Sequence, residues 1–360
     1  MQNKTDEAEP ASQGFEPEHS RKKSTINDIA RMAGVSKKTV SRVINDSPFV
    51  KEETRLKIKE IIREAGFTPD PQARGLAFRR AFLFSMIYDN PTPQYVVNMM
   101  QGILDALRPS PFELVIRPCN RMQPHFLSDM REFIERQKLA GVVLPPSVSE
   151  DETLVEMLRD IDCPYVRIAA ISLDTPRTMV VTHDSAGAAD AARHLAGLGH
   201  KVIAHISGPS SFLSAHERRR GFVAGLTECG LTLDAEYDRE AAYTFESGLA
   251  AAEALLSLNP RPTAIFTGND EMASGVYMAA RNFGLEIPRD LSVIGFDDSP
   301  IASRMWPLLT SVRLPIHEMG RLAAEMLIHG QSERAATADG PIEVIPALIV
   351  RESTAALDMS

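Results

Sequence analysis

The chain of 360 residues has three cysteines, one tryptophan and no run of eighteen apolar residues. Each shortage removes a class of protein. Cys119, Cys163 and Cys229 lie far apart with neither CxxC nor metal-ligand spacing, so no disulfide scaffold and no zinc module is expected; they read as buried or idle thiols in a reducing compartment. A spanning helix needs about 20 apolar residues, and no apolar stretch follows the initial Met. Neither a membrane span nor a secretory signal is therefore expected, which points to the cytoplasm. GxSxG, HExxH and GxxxxGK[ST] are all missing, and the nine histidines are scattered. The expectation is a protein that is not an enzyme, with no metal and no cofactor.

The overall net charge of −9 does not suggest a nucleic-acid partner, but the charge is unevenly spread. Residues 21–80 hold 15 basic and 7 acidic side chains, a local net of +8, whereas residues 1–20 carry −4 and residues 81–360 carry −13. A small basic module joined to a large acidic body is expected when phosphate binding is confined to the module. A merely solvated charged face would not need so sharp a partition.

Within the basic stretch, residues 24–45 read as two short helices joined by a tight turn. Thr25 can cap the first with Asp28 as its reciprocal partner, Ile26, Ile29, Ala30 and Ala33 form an apolar stripe, and Gly34 suits a left-handed stop. Ser36 offers a second cap, followed by Val40, Val43 and Ile44 on one side and Lys37, Lys38, Ser41 and Arg42 on the other. The spacing alone also fits a corner of any helical domain. A third amphipathic helix is expected over about 52–65, with Leu56, Ile58, Ile61 and Ile62 closing the core and Gly66 ending it. Residues 67–80 are proline-marked and basic, with little to bury.

From Thr25 to Leu76 this run resembles the DNA-binding headpiece and hinge of the lactose-repressor/galactose-repressor (LacI/GalR) family. The resemblance implies a helix-turn-helix whose second helix enters the major groove, with Thr25, Ser36, Lys37, Lys38, Thr39, Ser41, Arg42 and Asn45 at the duplex. It also implies a hinge helix over residues 69–80 that sets Arg74 and Leu76 at the minor groove, Leu76 as a wedge between base steps. So short a helix is not stable alone, and Gly75 weakens it further.

Beyond residue 81, apolar runs of strand length alternate with helical patterns, the signature of doubly wound parallel α/β layers. Strands are expected at 82–88, 112–117, 141–144 and 165–169, then at 236–242, 264–267 and 292–296. The resemblance extends to about Ser353 and implies a two-lobed, periplasmic-binding-protein-like effector core. Its lobes would comprise about 81–180 plus 312–338, and about 181–311 plus 339–355, after a headpiece at 24–68 and a disordered acidic tail at 1–23. Ser185 stands where the family usually has Asn, which weakens the turn after Asp184.

Two facing parallel sheets place a cleft at the carboxyl ends of their strands. By resemblance, Arg218 of HERRRGF holds the effector and Asp297 of VIGFDDS accepts from its hydroxyls, while Arg219, Arg220 and Asp298 remain solvated or structural. Asn269 would bind a hydroxyl and Asp270 would cap the following helix. Phe245 and Phe296 would supply rings, with Asp89 and Tyr95 on the opposite wall. An aromatic and a carboxylate on each wall suit a sugar, whose CH face stacks while its hydroxyls bond. Trp306 is expected to pack inside rather than to lid the cleft.

The implied protein is a transcriptional regulator, a repressor by resemblance, that binds a palindromic operator as a homodimer under control of a sugar. No leucine heptads follow the last strand to build a tetramer. A purine or nucleoside effector is the alternative, since stacking with Arg and Asp would serve it too. A sugar-binding protein without DNA binding would have no use for the basic headpiece.

Overall fold

The computed structural model describes residues 24–44, 49–67, 82–330 and 340–357. The chain divides into two compact units, Met1–Ala77 and Phe78–Ser360. The acidic tail, Asn45 and the stretch with Arg74 and Leu76 lie outside the described residues.

In the first unit, α1 (Ile26–Ala33), α2 (Lys37–Ile44) and α3 (Glu52–Glu64) pack around Ile29, Ala30, Ala33, Val40, Val43 and Ile58. Thr25 and Asp28 form a capping box, and Gly34 closes α1 at φ 68°, a left-handed conformation that costs glycine nothing. Ser36 accepts from the Thr39 N–H at 3.1 Å and so starts α2. One expectation fails. Leu56 does not close this core and is 60% exposed, because Ile58, Ile61 and Ile62 already face inward from α3.

The second unit contains two six-stranded sheets. The first has the order β11-β5-β4-β3-β1-β2, from β1 (Leu83–Tyr88), β2 (Glu113–Pro118), β3 (Gly141–Leu144), β4 (Tyr165–Ala169), β5 (Met179–Val181) and β11 (Ile342–Glu343). All its pairings are parallel. Alternating with these strands are α4 (Pro93–Leu107), α5 (Phe126–Gln137) and α6 (Glu152–Asp160). The second sheet has the order β12-β10-β9-β8-β6-β7, from β6 (Ile203–Ser207), β7 (Asp238–Glu240), β8 (Ala264–Thr267), β9 (Ser292–Asp297), β10 (Thr310–Arg313) and β12 (Ala347–Ile349). Only β12 runs antiparallel among the described strands. Its helices are α7 (Asp184–Gly197), α8 (Leu213–Glu228), α9 (Phe245–Leu256) and α10 (Asp270–Asn282). Strands such as Gly141–Leu144 are buried throughout, as strands covered on both faces must be.

Among the described residues the chain crosses between lobes three times. It leaves the first sheet after β5, returns after β10 through α11 (Ile316–Gly330), and crosses again between β11 and β12. These points lie at residues 182–183, 314–315 and 344–346, a few residues later than the sequence boundaries 181, 312 and 339. The two-residue β11 pairs with β5 before the chain departs, a pairing too short to leave a pattern in sequence. α4 and α11 pack through glycines, and a Cβ on Gly102 would collide with the His317 carbonyl oxygen.

Candidate functional site

Fourteen side chains converge between the lobes at the carboxyl ends of the strands. Asn90, Thr92, Tyr95 and Pro146 come from the first lobe; Thr182, Asp184, Leu314 and Met319 come from the crossings and the elements after them. Phe212, Ser214, Arg218, Tyr243, Asn269 and Asp297 come from the second lobe. The free space among them is about 20 Å³, room for on the order of one water molecule.

Arg218 is the centre of this cluster. It projects from the first turns of α8, and its Nε donates to Asp184 Oδ2 at 2.8 Å while Nη1 donates to the Gly268 carbonyl. Its Nη2 stands 3.5 Å from Asp297 Oδ1, and the guanidinium carbon lies 3.8 Å from the centre of the Phe296 ring. The planar cation is thus held edge-on by two carboxylates and face-on by an aromatic π-system. Asp297 closes β9 at φ 99°, and its Oδ1 has no hydrogen-bond partner among the described residues. Burial pushes its carboxyl up to about 7, with Arg218 pulling the other way and Asp184 adding to the rise. Across the cleft, the Tyr95 hydroxyl is also buried without a partner among the described residues.

Tyr243 and Phe212 make an edge-to-face aromatic pair at 5.5 Å. Tyr243 can lie over the end of β6 because residue 208 is glycine; a Cβ there would enter its ring. The lobes also touch at the cleft mouth. Glu150 of the first lobe accepts the Leu213 N–H at the start of α8 at 3.0 Å, and Arg121, paired with Asp89 at 2.8 Å, reaches the Ser211 carbonyl. Burial raises the Glu150 carboxyl to about 7 against the Leu213 N–H and Arg121, which lower it.

Of the cleft residues expected from sequence, Tyr95, Arg218, Asn269 and Asp297 line the cavity. The expectations for Phe245, Phe296, Asp89, Asp270 and Trp306 need correction. Phe245 does not line it: Thr244 and Ser247 form a capping box that commits Phe245 to the first turn of α9, and Tyr243 takes the aromatic position instead. Phe296 lies behind Arg218, fully buried, and not on the cavity wall. Asp89 is held by Arg121 and by the Ser147 hydroxyl, and Asn90 beside it lines the cavity. Asn269, and not Asp270, caps α10, accepting from the Met272 N–H and donating to the Tyr243 carbonyl. Asp270 is buried one residue into that helix, accepting from the Ser311 hydroxyl and the Ser299 N–H. Asp298 pairs with Arg313 and Arg351, while Arg219 and Arg220 are exposed and pair with Asp238 and Glu217. Trp306 is 82% exposed beside Tyr277, Met278 and Arg281, neither packed inside nor at the cleft. Asp184, Phe212 and Tyr243 have no signal in the sequence, since their meeting with Arg218 is set by the fold and not by spacing along the chain.

In the first unit, Ser36, Lys37, Lys38 and Arg42 are exposed on the polar face of α2, with Thr39 and Ser41 half-buried. The Thr25 N–H and hydroxyl both donate to Asp28, which places Thr25 in the cap of α1. Among the described residues no group of three His, Cys, Asp or Glu could hold a metal, and no helix is long and apolar enough to cross a membrane.

Residues 25–70 match the description "Bacterial regulatory proteins, lacI family", and residues 192–354 match "Periplasmic binding protein-like domain". Catabolite control protein A of Priestia megaterium is 34% identical over 92% of this chain and 99% of its own length. The ribose operon repressor of Escherichia coli K12 is 32% identical, covering 85% and 92%. Among solved structures, the lac repressor dimer bound to operator and the anti-inducer ONPF superposes with a TM-score of 0.76 at 26% identity, covering 93% of this chain and 100% of that one. The CelR–cellobiose complex gives 0.68 at 28%, covering 92% and 99%.

Proposed function

Because the chain belongs to the LacI family, whose members are DNA-binding transcriptional repressors with a ligand-binding core and no enzymatic activity, we propose that it binds a palindromic operator as a cytoplasmic homodimer. A sugar held between the lobes sets its affinity for that site.

Support for a sugar comes from the side chains around Arg218. A guanidinium with two carboxylates, the unpartnered hydroxyl of Tyr95, and the Phe212–Tyr243 pair together match a ring that has hydroxyl edges and CH faces. Among its relatives one is a ribose operon repressor, and among its structural neighbours one holds cellobiose. Tyr95, Arg218, Asn269 and Asp297 are the proposed contacts, joined by Asp184, Phe212 and Tyr243. Seating a ring in about 20 Å³ of free space requires the lobes to shift. That shift links occupancy to DNA affinity, and it needs only about 1–3 kcal/mol of coupling. On the DNA side, the exposed face of α2 presents Ser36, Lys37, Lys38 and Arg42 for the major groove, with Thr39 and Ser41 beside them.

Calorimetry of the full chain against pentoses, hexoses and purine bases tests the ligand. The expected result is binding by a sugar that is abolished in Arg218→Ala, and binding by purines alone would overturn it. A gel shift against genomic fragments at increasing salt tests the DNA part; affinity that ignores salt would contradict phosphate contact.

A further inference from the structure

We infer that the effector carries no net charge and that sugar acids and sugar phosphates are excluded from the cleft. This rests on the sugar reading of the same site and narrows it.

The positive charge at the cavity already faces carboxylates of the chain itself. Among the described lining residues Arg218 is the one cation, and it faces Asp184 at 2.8 Å and Asp297 at 3.5 Å. The lining therefore brings two carboxylates against one guanidinium. Helix N-termini attract anions through their free N–H groups and dipoles, and several begin at the cleft. Glu150 accepts from the first N–H of α8, α10 is capped by Asn269 with Asp270 in its first turn, and Asp184 puts a carboxylate in the first turn of α7. α4 has no side-chain cap at Thr92, but its first residue, Pro93, has no N–H to offer. The remaining nearby cation, Arg121, is paired with Asp89 and turned toward the Ser211 carbonyl.

An incoming carboxylate or phosphate would lose its water and meet no unmatched cation here, while Asp184, joined above pH 7 by the ionised forms of Asp297 and Glu150, repels it. What the cavity does leave open is hydrogen-bonding capacity without an unmatched cation. Among the described residues, Tyr95 has a buried hydroxyl with no hydrogen-bond partner, and Asp297 Oδ1, 3.5 Å from Arg218 Nη2, accepts no hydrogen bond. An alcohol, which donates and accepts through one atom, satisfies both.

Isothermal titration of the full chain tests this with D-ribose, D-xylose, D-glucose and D-galactose, together with D-glucuronate, D-galacturonate, ribose 5-phosphate, glucose 6-phosphate, hypoxanthine and guanine. At least one neutral sugar binds, and its acid or phosphate binds at least 100-fold more weakly. In Asp297→Asn, which removes one negative charge from the lining, that ratio narrows at least 10-fold. A sugar acid or phosphate that matches or exceeds its neutral parent overturns the inference and leaves the sugar reading standing. Binding by the purine bases alone overturns the sugar reading itself, and binding by no member of the panel counts against both.

Discussion

Arg218 reaches Asp184, the Gly268 carbonyl and Asp297 with one planar group while covering the Phe296 ring, so its replacements should differ in kind. Arg218→Ala leaves Asp184 buried without its cation, and breaking a buried pair from one side costs about 3–5 kcal/mol. Urea unfolding should show that loss, with Arg218→Lys falling between because a point ammonium cannot hold the same three acceptors. Asp297 gives a pH signature. Its carboxyl titrates near 7 in the folded chain and near 4 when unfolded, so the native state binds the extra proton between those values. Stability from this group therefore falls as pH rises from about 4 to 7, and Asp297→Asn should flatten that slope in unfolding curves. Glu150 acts in the same direction, whereas His194 and His200, lowered by burial, oppose it. At this scale Arg218 and Asp297 were legible because each stands in a motif shared with a family. Tyr243 was not, because its place depends on Gly208 and on the cap that draws Phe245 into α9.

In the first unit, α1 and α2 each start on a single side chain, Thr25 and Ser36. Thr25→Ala removes the hydroxyl that accepts the Asp28 N–H, leaves only the backbone half of the α1 capping box, and should cost about 1 kcal/mol. A lowered midpoint of the isolated N-terminal transition, with the ligand cleft unaffected, checks it. Lys37→Ala and Lys38→Ala should weaken operator binding and reduce the salt slope by about 1 for each phosphate no longer neutralised, whereas removing a base-reading side chain relaxes specificity at one position. Periodicity exposed nearly every helix and strand, because continuous burial and a 3.6-residue stripe are set by short-range order. It failed where a partner distant in sequence decides. The strand expected at 236–242 is cut to Asp238–Glu240 by its pairing with β6, and β11 is only two residues long. Leu56 and Trp306 have core-like side chains, yet both end on the surface, one beside a filled core and the other beside Tyr277 and Met278.

On the scale of the whole molecule, the charge partition assigns the tasks. In the proposed function the stretch of net +8 meets phosphate, while the body of net −13 does not compete for the duplex. The body instead closes around a cavity whose cation faces its own carboxylates, and in the proposed function occupancy there acts on lobe separation. This division was visible in composition alone, but the composition could not say which side chains meet between lobes that the chain crosses three times. The most direct test is fluorescence anisotropy of a genomic fragment selected by the purified protein, titrated in the presence and absence of the neutral sugars. The account predicts a palindromic fragment bound far more tightly than random DNA, with an affinity that one sugar changes at least 10-fold and that Arg218→Ala renders insensitive. Equal binding to selected and random DNA, unchanged by every sugar, would contradict it.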